Sequence, residues 1–128
     1  MRKKTVFFTL LLFLNLLVQG CGGSESLNSK IEKNEKLSES DYEYMVDYMY
    51  DAMSEIEVIN QTYDPSDAQG VMEAGREVAS EYPEFPKYFV VCTNAMEEKD
   101  PAIENSALDR DKFSRVIHCV ARGWDMFW

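Results

Sequence analysis

The chain predicts an all-α fold, a small up-down bundle of about four helices placed after a signal peptide and a flexible tether. Three observations lead there. Apolar side chains recur at three and four residues over four separate stretches, each stretch begins and ends at Ser, Asp, Pro or Gly, and no alternating apolar run has a turn and a partner strand.

The first helix is predicted from about Asp41 to Thr62. Tyr42, Met45, Val46, Met49, Met53, Ile56 and Tyr63 make its stripe, and Ser40 with Glu43 makes a capping box at its start. Its opposite face carries Asp47, Asp51 and Glu55.

Asp64-Pro65-Ser66-Asp67 predicts the next start: Asp64 accepts free amides, Pro65 sits in the first turn, and Asp67 suits the helix dipole. Ala68, Val71, Met72, Gly75, Val78, Ala79 and Tyr82 line one side, and Pro83 forces the end. Small Gly75 and Ala79 invite a neighbour to come close.

A third helix is predicted over Pro86 to Lys99, with Phe85, Tyr88, Phe89, Cys92, Ala95 and Met96 on one face. Its middle, Tyr88 to Cys92, has strand-like propensity, but helical spacing persists to Met96. Asp100-Pro101 closes it, and Ala102 to Asn105 form a short turn. The fourth helix starts at a Ser106/Asp109 capping box, carries Phe113, Val116, Ile117, Val120, Ala121 and Trp124, and stops at Gly123. Trp124-Asp125-Met126-Phe127-Trp128 is too aromatic to float in water and is expected to fold back on the bundle.

Three segments divide the chain: 1–20, 21–40 and 41–128. Arg2, Lys3 and Lys4 precede a short apolar run from Thr5 to Val18, of signal-peptide length and too short to span a bilayer. Val18-Gln19-Gly20-Cys21 follows, with Gly22 and Gly23 behind it. This resembles the lipobox of bacterial lipoproteins. The resemblance implies that Cys21 receives a diacylglyceryl thioether and becomes the first mature residue, acylated in the cell envelope. Each buried methylene contributes roughly 0.8 kcal/mol, so two or three chains, palmitate among them, make the attachment effectively permanent. Gly22 is not the aspartate tied to inner-membrane retention, so the resemblance favours an outer membrane in a diderm organism.

Residues 22–40 hold only Leu27, Ile31 and Leu37 as apolar side chains, a tether composition expected to set the domain about 24 Å from the lipid. Residues 41–128 are enough for one small acidic domain.

The whole chain carries a net charge of −10, and loss of residues 1–20 removes three basic and no acidic residues, leaving −13. Such a charge argues against nucleic acid, whose binding needs clustered Lys and Arg, and makes a basic envelope or secreted protein the natural complement.

Cys92 and Cys119 remain once Cys21 is acylated. An oxidising compartment favours a disulfide between them, worth roughly 3.5 kcal/mol by chain entropy; two buried free thiols are the alternative.

No catalytic constellation is legible. His118 and Cys119 are adjacent, so on a helix they point about 100° apart and cannot act as base and nucleophile. Arg115, not Glu, lies three residues before His118, and Asp64 to Glu77 lacks the ligand order of a calcium loop, so no metal and no cofactor are expected. The candidate interface is the outer face of the first helix: Tyr44, Asp47, Asp51, Glu55 and Val58, an aromatic anchor among carboxylates that would steer a basic protein. Met45, Met49, Met53, Met72 and Met96 support the alternative, a carrier of a small apolar ligand inside the bundle. The expected role is therefore non-enzymatic: protein binding or inhibition at a membrane.

Overall fold

The structure is a computed structural model that describes residues 23–106 and 108–128. The leader and Cys21 lie outside the described residues. The chain divides into two units at Leu37 and Ser38.

The first unit contains α1, Gly23–Glu32. A coil was expected there, but Leu27 and Ile31 stand four apart on one helical face, a spacing that composition alone does not register. Asn34 ends the helix in the left-handed region (φ 58°), with the Asn34 amide donating to Ile31 O and the Glu35 amide to Lys30 O. That pair of bonds is a Schellman close, which Asn tolerates better than a branched residue would.

The second unit is all helical: α2 Glu39–Thr62, α3 Ala68–Glu81, α4 Phe85–Glu97, α5 Pro101–Glu104, α6 Arg110–Ala121 and a 3-10 turn Trp124–Phe127. It is a small bundle, and α2, about 36 Å long at 1.5 Å per residue, is its hub, packing against α3, α4 and α6. Partners along α2 give the directions. Ile56 and Ile59 meet Val78 and Ala79, Glu55 accepts from Tyr82, Tyr48 accepts from Glu84, and Tyr42 reaches Asp100. Positions fall on α2 as they rise on the returning chain, so α3 and α4 both run down it, one after the other. Lys112 meets Asp47 and Arg115 meets Glu57, so α6 runs up again.

The return path is broken because Pro83 follows Tyr82, whose ψ of 60° leaves the helix. Helix α4 then restarts with Glu84 as its cap residue. Its side chain makes no capping bond; the Glu84 amide donates instead to Tyr48 Oη at 3.0 Å, a cap supplied across the interface. Tyr88 to Cys92 is helical despite its strand propensity, since Tyr88, Cys92 and Ala95 are buried at helical spacing.

The other helix starts also fall elsewhere than the sequence suggests, for α2, α3 and α6 at a nearby Ser or Asp. Ser38 caps α2 with Asp41 as its reciprocal partner (Asp41 N to Ser38 Oγ 3.2 Å, Ser38 N to Asp41 Oδ2 2.8 Å), displacing the Ser40/Glu43 box. Asp64 is spent on a local turn, accepting the Ser66 amide at 2.9 Å, and Asp67 caps α3 instead. Asp109, not Ser106, caps α6, accepting from the Asp111 and Lys112 amides.

The tail folds back as expected. Gly123 turns the chain at φ 86°, a value that suits a residue without Cβ. Phe127 then lies directly on Gly75, where any Cβ would run into its ring. Ile56, Ile59, Val78, Ala79 and Phe127 form one buried cluster, with Trp124 and Trp128 packed on it. Met96 and Ile117, expected inward, are exposed, while their stripe neighbours Cys92, Ala95, Phe113 and Val116 take the buried positions.

Candidate functional site

Seven carboxylates and no basic side chain lie along α2, from Glu39 to Glu57. Its outer face holds the five residues singled out by sequence, and the structure gives them unequal freedom. Tyr44, Asp47, Asp51 and Val58 are exposed, Val58 at 58 %. Asp47 is already paired with Lys112 Nζ at 3.2 Å, which raises the lysine's proton affinity, chiefly through that hydrogen bond. Lys112 also stands over the Tyr50 ring, 5.3 Å from its centre. Glu55 is half-buried and accepts from Tyr82 Oη at 2.6 Å. Tyr44 leans on Tyr48 and edge-on against Tyr88. Asp51 and Val58 thus present the face most openly, while Glu55 and Asp47 also hold the bundle together.

Behind this face runs a tyrosine seam. Tyr48 stands edge-on to both Tyr82 and Tyr88, with centroids 5.2 and 4.9 Å away. Tyr42 Oη donates to Asp100 Oδ2 at 3.1 Å. Burial, followed by the bond to a carboxylate, pushes the phenols of Tyr42 and Tyr82 far above their ordinary 10.0. Burial pushes Tyr88 far up as well, and raises Tyr48 against the opposing bond from the Glu84 amide.

Cys92 and Cys119 are free thiols, so the disulfide considered above does not form. The reason is position. Cys92 lies on α4 between Glu84, which meets Tyr48, and Asp100, which meets Tyr42, whereas Cys119 lies one turn beyond Arg115, which meets Glu57, nine residues past Tyr48 along α2 or about 13 Å of helix. A disulfide needs its Cα atoms within about 7 Å. Cys92 is fully buried, and that alone pushes its thiol up to about 12, so it is an inert core residue. Cys119 is half-buried and is likewise shifted upward, by burial first and Glu57 second. His118 is exposed on α6. Among the described residues no group of His, Cys, Asp and Glu is arranged to hold a metal ion.

Of the five methionines proposed to line a pocket, Met45, Met49 and Met53 are buried in the α2 stripe, Met72 is half-buried and Met96 exposed. Met96, at the surface, lines no interior space.

A cleft does open elsewhere, between the start of α4 and the tail. Phe85, Pro86, Phe89, Val90, Asp125 and Trp128 line about 310 Å³. The Phe85 ring stacks on Trp128 at 4.6 Å and lies nearly parallel to Phe89 at 6.3 Å. Trp128 is held by its Nε1, which donates to Tyr82 O at 2.8 Å. The fold-back of the tail was legible in its aromatic content, but where it lands, and so this cleft, was not. Exposed Val90, apolar in a helix whose stripe already has its quota, was the one local signal.

No protein-family model, no curated protein and no solved structure matches this chain. Among the described residues no helix is long and apolar enough to cross a membrane.

Proposed function

We propose that this protein is a lipid-anchored, non-enzymatic binding module of the cell envelope that captures a basic polypeptide, with Cys21 as the anchor and α2 as the capture surface. The lipobox-like leader supports the anchor, and the same resemblance supports an outer-membrane address in a diderm organism. One observation carries the capture: the outer face of α2 carries Asp47, Asp51 and Glu55 in a row, and Tyr44 and Val58 stand exposed at its two ends. Carboxylates steer a basic partner in, and an aromatic with an aliphatic neighbour supplies the desolvated contact that holds it. A binder of this kind suits an inhibitory role toward a basic enzyme or toxin.

Two measurements test it. Intact mass of native protein should place a diacylglyceryl thioether on Cys21 with residues 1–20 gone; an unmodified Cys21 refutes the anchor. Asp51→Lys combined with Val58→Lys should lower capture of a basic envelope protein at least about tenfold, with helicity unchanged. These two positions are chosen because neither holds the fold, unlike Glu55. Undiminished capture removes α2 as the surface.

A further inference from the structure

We infer that the cleft formed by α4 and the tail is an arginine receptor, a site that takes one arginine side chain of the basic polypeptide partner. This rests on the reading that the partner is basic, and it adds a second contact that the α2 face does not provide.

The lining dictates the occupant. Phe89 and Trp128, both partly exposed, present aromatic planes on either side of the buried Phe85 ring, which is inclined 6° to Phe89 and 24° to Trp128 and backs them both. Pro86 and Val90 complete an apolar wall, and Asp125 is the single charged residue of the lining. An occupant must therefore be apolar along its stem, flat where it meets the rings, and positive where it meets Asp125. Arginine has each property: three methylenes, a planar guanidinium that stacks on aromatic faces, and a fork that matches a carboxylate. Lysine brings the charge without the plane. A wholly apolar occupant would cover the Asp125 carboxylate and give it nothing in exchange for water.

The site is also built before anything enters it. Trp128 is fixed by the hydrogen bond to Tyr82 O and by stacking on Phe85, and Phe85 is itself fully buried. The next residue inward, Phe127, is locked on Gly75, so the wall cannot drift from α4 without opening the core. Rigid rings spare the entropy that a mobile site would lose on binding. A volume of about 310 Å³ accommodates one side chain with its own backbone.

The test uses full-length protein in zwitterionic detergent, labelled with nitrogen-15, titrated with three peptides: tri-arginine, tri-citrulline and tri-lysine. Citrulline keeps the planar head and loses the charge. Tri-arginine should shift the Trp128 indole N–H resonance saturably, and both tri-citrulline and tri-lysine should bind at least about tenfold more weakly. Asp125→Asn should bring tri-arginine down to the tri-citrulline level. Equal binding of the arginine and citrulline peptides overturns the proposal in favour of a neutral apolar site. No saturable change at Trp128 also overturns it. If in that case the amides around Asp47 and Asp51 respond, the basic-partner reading survives alone. A Trp128 response in a protein whose partner capture ignores the α2 substitutions leaves the cleft standing and the α2 surface refuted. The peptide series needs no variant to fold, so the outcome does not depend on Asp125→Asn.

Discussion

The two halves of α2 are held by different chemistry. Toward its C-terminal end, Ile56 and Ile59 meet Val78, Ala79 and the Phe127 ring, an apolar lock with Gly75 as its notch. Toward its N-terminal end buried Met45, Val46, Met49 and Met53 are joined by contacts of another kind: hydroxyl to carboxylate from Tyr42 to Asp100 and, in between, from Tyr82 to Glu55, backbone amide to hydroxyl from Glu84 to Tyr48, and ring to ring between Tyr48 and Tyr88. Apolar packing is indifferent to pH and unforgiving of lost volume. A seam of neutral phenols beside carboxylates tolerates small deletions but depends on the phenols keeping their protons.

The largest effect is expected from breaking the lock. Phe127→Ala should cost roughly 3 kcal/mol, the low end for a buried aromatic because the ring lies near the surface. Gly75→Ala should cost about 1 to 3 kcal/mol by pushing the same ring out. Chemical denaturation measures both. The two losses should not add, since the second substitution strikes a contact that the first has removed. Full additivity would mean that the ring and the notch are not one device.

Alkaline pH attacks the seam and spares the lock. In the unfolded chain tyrosines ionise near 10.0, whereas folded Tyr42, Tyr82 and Tyr88 hold their protons well beyond that. Above pH 10 the folded state thus binds more protons, so its stability is whole below the unfolded value and falls as pH rises through the folded ones. Cys92 acts in the same direction, from 9.0 toward about 12. Tyrosinate absorbance and helical dichroism followed together should show these phenols ionising only as the helices melt. Full ionisation with intact helices would contradict the burial of the seam.

How much of this was legible in the sequence follows the same division. Helical periodicity located the apolar lock: Ile56, Val78 and Ala79 sit at core spacing, and Gly75 was recognisable as a place of close approach. The seam was not legible, because Tyr42 and Tyr82 satisfy the apolar stripe equally well whether or not their hydroxyls find carboxylates on another helix, and Tyr48 stood outside the stripe altogether. Caps drifted for a related reason. Ser38 and Ser40, or Asp64 and Asp67, are chemically equivalent starts, and the choice between them is made by packing further along the helix. The acidic face of α2 was readable as a row, yet nothing local revealed that Lys112 and Tyr82 would engage two of its members. The cleft, made from residues 85 to 90 and 125 to 128, depends on a chain reversal whose landing point no local pattern encodes.

The smallest effect is also the sharpest test of the seam, because it changes one oxygen. Tyr82→Phe keeps the ring against Tyr48 and removes only the hydroxyl that donates to Glu55. Water reaches the half-buried Glu55 carboxylate and replaces part of the lost bond, so the expected cost is about 1 kcal/mol rather than the penalty of an orphaned buried charge. The variant should also soften the alkaline transition, since one phenol that resists ionisation in the folded state is gone. Thermal unfolding at neutral and alkaline pH separates the two consequences. A loss near that of Phe127→Ala, or an alkaline transition as steep as before, would mean that the Tyr82 hydroxyl, and not only the ring that packs on the lock, belongs to it and that the two halves of α2 are not held differently.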